Sequence, residues 1–113
     1  MTVGYFEGFN LQRDCLNIDI SQVDTKAYTH IHFAFSVLTT DFKVSLGNNE
    51  AMYEFNQFKT ISGPKKILSF GSWDFSTKPS TYMIFREGTN AANRKTLAQN
   101  VKSLVLDHVR AAG

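Results

Sequence analysis

Three short runs rich in aromatic and β-branched residues constrain this chain more than any other feature: Thr2 to Glu7 (TVGYFE), His30 to Ser36 (HIHFAFS) and Lys65 to Gly71 (KKILSFG). Each reads as a strand. The second and third are nearly continuous apolar stretches, the pattern of strands buried on both faces of a parallel sheet. Helical patterns lie between them. Met52, Phe55, Phe58 and Ile61 recur at helical spacing within Asn48 to Ile61, and Gly63-Pro64 ends that element. Ser21 to Tyr28 reads as a short helix capped by Ser21, with Asp24 in the capping-box position. After a loop expected from Trp73 to Thr89, a long helix is expected from near Asn90, with Leu97, Val101, Leu104, Val105 and His108 or Val109 on one face. Thr39-Thr40-Asp41 separates two apolar stretches and predicts a small hairpin after the second strand.

The resulting order, strand and helix three times over, implies βαβ units with right-handed crossovers. Two architectures carry that order. A doubly wound sheet places a Gly-rich phosphate turn after its first strand, but Gly4 and Gly8 do not make G-x-G-x-x-G. A barrel fits better and gathers its chemistry at the C-terminal strand ends. Those ends carry Tyr5, Phe6 and Glu7, then Phe33 to Ser36, then Ser69 to Trp73.

With 113 residues, and no internal repeat, low-complexity segment or Pro/Gly/Ser-rich linker, the chain reads as one domain or a piece of one. Its 12 basic and 10 acidic side chains are interspersed, with no run of one sign that would track a phosphate backbone, so nucleic acid is a poor partner. No apolar run approaches the roughly 20 residues that cross a bilayer, and no secretory leader is recognisable. Cys15 is the lone cysteine, so it is a free or buried thiol, or it pairs outside this stretch.

Val3-Gly4-Tyr5-Phe6-Glu7, Tyr28 to Phe35 (YTHIHFAF) and Lys66 to Trp73 (KILSFGSW) resemble, in order and spacing, the first three strands of the family 18 glycoside hydrolases, whose best-known members are chitinases. The last run is similar to that family's S-x-G-G-W motif. Arg13-Asp14-Cys15-Leu16-Asn17, the segment Asp19 to Asp24, and Phe85-Arg86-Glu87-Gly88 resemble the fungal branch related to killer-toxin subunits. The resemblance covers the whole chain. It implies an α/β fold consisting of the N-terminal three βα units of a TIM (β/α)8 barrel, incomplete, with residues 1–113 a partial catalytic domain. It also implies secretion, no cofactor, no metal, and chitin or chitooligosaccharide as the partner, with the remainder of the barrel required for closure.

The resemblance further implies substrate-assisted, retaining cleavage of β-1,4-linked N-acetylglucosamine polymers. In that chemistry a Glu acts as acid and a neighbouring Asp orients the substrate's acetamido group, which attacks the anomeric carbon. Those carboxylates belong to a D-x-x-D-x-D-x-E motif on the fourth strand. Arg110 to Gly113 reads as the turn before that strand, so the chain alone is expected to be inactive. A non-catalytic chitin- or oligosaccharide-binding protein on the same scaffold, and a small flavodoxin-like binding domain, are the alternatives.

By the same resemblance Tyr5 and Ser69 support the catalytic carboxylates from beneath, and Tyr5, Phe33, Phe35, Gly71, Ser72 and Trp73 contact substrate. Taken alone, a Tyr and a Ser in strands are ordinary satisfied core residues. Trp73 stacks on a sugar or simply packs. Phe33 and Phe35 are expected to divide, one at the floor of a sugar pocket and one packed against helices. Glu7, Asp41 and Asp74 read as solvated loop carboxylates, and His30 and His32 as core histidines, since two imidazoles without a third ligand make a weak metal site. Two residues depart from the family pattern. Ser72 stands where a second Gly is usual, which puts a Gly-only backbone conformation in question. His32 replaces a commoner Asn.

Overall fold

In a computed structural model that describes residues 1–111, the first two apolar runs form parallel neighbours. Strand β1 (Val3–Glu7) pairs with β2 (His30–Leu38) so that Tyr5 lies opposite His32 and Phe6 opposite Phe33. The third run forms β4 (Lys65–Phe70), which also pairs with β2. A two-residue strand β3 (Val44–Ser45) returns antiparallel on the end of β2. The expected hairpin is therefore present, closed by the Thr39 amide donating to the Lys43 carbonyl at 2.9 Å. The three long strands follow one another in space as in sequence, β1, β2, β4.

The chain divides into two compact units. One comprises Met1–Phe35 with Leu46–Ser69, the other Ser36–Ser45 with the chain from Phe70 onward. The first unit packs helix α1 (Asn49–Thr60) against one face of its strands. Phe33 fills the centre of that core with no exposed surface, 5.2 Å from the Phe55 ring and 5.4 Å from the Phe58 ring. Gly8 is required there: a Cβ on it would stand 2.2 Å from the Phe33 ring, while its amide donates to the Ala34 carbonyl. The buried stripe of α1 is Ala51, Glu54, Phe55 and Phe58, whereas Met52, expected on that face, is 41% exposed. A glutamate has taken a core position.

Between β1 and β2 the expected helix over Ser21 to Tyr28 is two separate 3-10 turns, Ile20–Gln22 and Thr25–Ala27. The cap of the first is Asp19 rather than Ser21, in a full capping box with Gln22, and Asp24 caps the second. Val23 is extended between them, which stops the first turn from continuing. Nor are β2 and β4 buried on both faces. His30 and His32 are half-buried while Ile31 and Phe33 are sealed, because within this unit only one face of the strands is covered.

In the second unit the expected loop from Trp73 to Thr89 contains two helices, α2 (Trp73–Thr77) and α3 (Tyr82–Thr89), separated around Pro79. Phe75 and Phe85 meet edge-on at 5.2 Å and join them. The long helix α4 (Arg94–Ala111) starts four residues after Asn90, which instead accepts from the Ala92 and Asn93 amides in the preceding turn. Leu97, Val101 and Leu104 are half-buried on it as expected, while Val105 is 49% exposed. Arg110 and Ala111, expected to open a turn, still belong to α4, while the side chains of His108 and Val109, and residues Ala112 and Gly113, lie outside the described residues.

Candidate functional site

Cross-strand register decides which polar side chains meet. In a parallel pair, residues opposite each other project from the same face of the sheet. Tyr5 and His32 are such a pair, and they face away from the Phe6 and Phe33 core. Their rings stack with centroids 4.5 Å apart and planes 26° from parallel. Nδ1 of His32 lies 2.7 Å from Oγ of Ser69 on β4. Tyr5 is 62% exposed, and His32 and Ser69 are half-buried. One side chain of the central strand thus ties together the two residues expected to support a catalytic carboxylate.

His32 was legible only as a packing histidine. The signal that singles it out is its place two residues past His30 on the same face of β2, directly opposite Tyr5. Its neighbour takes another course, since Nδ1 of His30 meets the hydroxyl of Thr29 at 2.9 Å. The two imidazoles therefore serve different partners, and no group of three His, Cys, Asp or Glu residues suited to a metal ion occurs among the described residues.

Of the two phenylalanines expected to divide, Phe33 is the packing residue and leaves the set of candidate substrate contacts, because its ring is closed in by Phe6, Phe55 and Phe58. Phe35, 37% exposed, borders a cleft of about 170 Å³ with Gly8, Phe9, Gly47 and Asn48, and Phe33 lies beneath it. Glu7 is ion-paired: Arg13 meets its carboxylate at 2.6 Å, both groups remaining about half exposed, and the same guanidinium lies over Phe9. Asp41 is held by the Thr39 hydroxyl and by Lys43 at 3.2 Å, and the Thr39 bond, ahead of Lys43, keeps its carboxyl below the usual aspartate range. Asp74 pairs with Lys78 one helical turn on. All three carboxylates are tied to surface partners. Cys15 is an exposed thiol.

Gly71, Ser72 and Trp73 lie in the second unit. Gly71 has φ +76°, the left-handed region that favours glycine, and a Cβ there would press on the Phe85 ring at 3.1 Å. Ser72, by contrast, is fully extended at φ −169°, a conformation open to any residue. Its hydroxyl accepts from the Phe75 amide at 3.3 Å and caps α2, so serine at this position brings a cap without strain. Trp73, the first residue of α2, is 82% exposed. An indole left so open is placed to meet a flat apolar ligand face.

Comparison with known proteins supplies the context for this geometry. The model of glycosyl hydrolases family 18 matches residues 1–110. A secreted chitinase, LysM12, of Penicillium expansum is 51% identical over 107 residues, covering 95% of this chain and 7% of that protein. A probable chitinase of the same organism, LysM18, is 54% identical over 109 residues, covering 94% and 8%. The killer toxin subunits alpha/beta of Kluyveromyces lactis are 37% identical over 90 residues, covering 79% and 8%. The chain therefore spans less than a tenth of the length of these relatives. Crystal structures of a chitinase from Trichuris suis (TM-score 0.70, 18% identity) and of the Group IV chitinase of Ostrinia furnacalis (TM-score 0.72, 20% identity) share its fold, each over 95% of this chain and 30% of theirs.

Proposed function

This chain belongs to glycosyl hydrolase family 18, and from that premise we propose that it is the N-terminal part of a secreted, chitinase-like hydrolase cleaving β-1,4-linked N-acetylglucosamine polymers with retention. On this reading β1 with the 3-10 turns after it, β2 with α1, and β4 with the helices after it are the first three βα units of a (β/α)8 barrel, closed by the remainder of the protein. The observation that carries the reading is the grouping of Tyr5 and Ser69 about His32 on the face of the strands turned away from the helix-covered core. In a closed barrel that face is the interior, where catalytic groups are held from below.

The phenol of Tyr5 and the hydroxyl of Ser69 then hold a carboxylate contributed by a later strand. Hydrogen bonds donated to such a carboxylate favour its ionised form and fix its orientation. Trp73 offers its ring to a sugar face, and Gly71 with Ser72 shapes the turn that presents it. The 113 residues alone contain no D-x-x-D-x-D-x-E motif and are inactive on this reading.

Incubating the full-length protein with chitooligosaccharides while following products by proton NMR tests the proposal. The expected result is cleavage with the β-anomer appearing first. Tight oligosaccharide binding without cleavage would instead establish a non-catalytic binder, and absence of both would remove the carbohydrate reading.

A further inference from the structure

We propose that the imidazole of His32 is a platform for Tyr5, a positioning residue that fixes the direction of the phenol for the hydrolysis assigned above. The inference rests on that assignment and deepens it. A histidine on a strand is ordinarily explained by packing, but the core-facing side of β2 carries Ile31 and Phe33, and His32 is on the other. There its ring lies flat against that of Tyr5, with centroids 4.5 Å apart and planes 26° from parallel.

Little else within the first unit holds the Tyr5 side chain. Residues two apart on a strand share a face, so Val3 and Glu7 are its neighbours along β1. Val3 is exposed, and Glu7 is ion-paired with Arg13. A tyrosine turns about two side-chain bonds, and a change of staggered well at the first carries the phenol oxygen several ångströms. A group that is to hold a carboxylate has to be placed within about 0.5 Å. A stacked aromatic pair favours one arrangement over the unstacked ones by roughly twofold to tenfold, enough to decide where the phenol spends its time. The platform is itself tied down. Nδ1 of His32 lies 2.7 Å from Oγ of Ser69, a contact that fixes the edge of the imidazole whichever of the two atoms donates. Tyr5, His32 and Ser69 all belong to the first unit, so the arrangement is complete without any later strand.

Two substitutions separate the ring from its polar edge. His32→Asn keeps polar atoms on the Ser69 side and removes the ring; His32→Phe keeps a flat ring for Tyr5 and removes the nitrogens. In the full-length protein, His32→Asn is expected to lower kcat on a chitooligosaccharide about fivefold, through the molecules whose phenol has left its place, with KM changed far less. His32→Phe is expected to recover most of that loss. In a Tyr5→Phe background the two His32 variants should turn over at the same rate, because without the phenol oxygen the platform has nothing to place. A histidine that only packs would lower the melting temperature of both variants and leave their kcat values equal to each other. Wild-type turnover with equal kcat in the two variants, with His32→Phe the more impaired, or with a difference that survives Tyr5→Phe, overturns the platform alone. A wild-type protein that does not hydrolyse the substrate overturns the assigned function, and this role with it.

Discussion

Glu54 occupies the apolar stripe of α1 with no exposed surface, its Oε2 accepting from the Ile20 amide at 3.1 Å and its Oε1 without a hydrogen-bond partner. Burial, assisted by the nearby Asp19 and Glu50 carboxylates, pushes this carboxyl up from the ordinary glutamate value, against the opposing pull of the Ile20 bond. A carboxyl that holds its proton more tightly when folded contributes stability that is fully present below its unfolded pKa and is lost as pH rises through the folded value. Glu54→Gln keeps an acceptor for Ile20 and cannot ionise. The thermal midpoint of the wild type minus that of the variant should therefore fall as pH is raised from about 4 toward neutrality. A difference that stays flat across this range would show that Glu54 is not protonated in the fold. Trp73 invites a separate test, because its 82% exposure leaves little packing to lose. Trp73→Ala in the full-length protein should raise KM for long oligomers about fivefold, roughly 1 kcal/mol for a lost ring contact, with the melting temperature unmoved. Unchanged kinetics would take Trp73 out of the substrate path.

Helix α1 shows how an element is fixed from its ends inward. The Asn48 side chain accepts from the Ala51 amide at 3.0 Å, and Lys66 donates to the carbonyls of Lys59 and Ile61 at the other end. Removing the first cap by Asn48→Ala should cost about 1 kcal/mol, and amide exchange across Asn49–Thr60 should speed up about fivefold; exchange at the wild-type rate would mean that packing of Phe55 and Phe58 alone sets the helix. The same capping logic explains what could be read in advance. α1 was legible because Asn48, the aromatic spacing and Gly63-Pro64 agree with one another. β1, β2 and β4 were legible because their apolar runs are short and bounded. The helices α2 and α3 were not, since five and eight residues either side of Pro79 offer too few turns for a period to show, and the Phe75–Phe85 contact that joins them is tertiary. The 3-10 turns were mistaken for one helix because Val23, a β-branched residue among caps, breaks the run without a glycine or proline to mark it. In the site, Tyr5 and Ser69 were legible as residue types at strand ends. The meeting of His32 with them was not, because it depends on the register of β1 on β2 and on the approach of β4, which no local pattern shows.

Within the first unit, the largest assembly of strands in the chain, the strands are stabilised from one side. There the helix-facing surface is closed around Phe33, while the opposite face leaves Tyr5 62% exposed beside the half-buried His32 and Ser69. Among the described residues β1 pairs with β2 alone, so its outer edge presents unsatisfied backbone donors and acceptors to solvent. Such an edge is a template for another strand, and an apolar or aromatic sheet face beside it favours association over solvation. In a closed barrel both would be covered by later strands, which remove the edge and supply the missing interior. The 113-residue chain expressed by itself should then bind a hydrophobic dye and grow in apparent mass with concentration in sedimentation, whereas the full-length protein should do neither. A 113-residue chain that stays monomeric at high concentration and melts in a single cooperative transition would mean that this face is stable in water as it stands, and the argument for closure by a longer polypeptide would lose its physical basis.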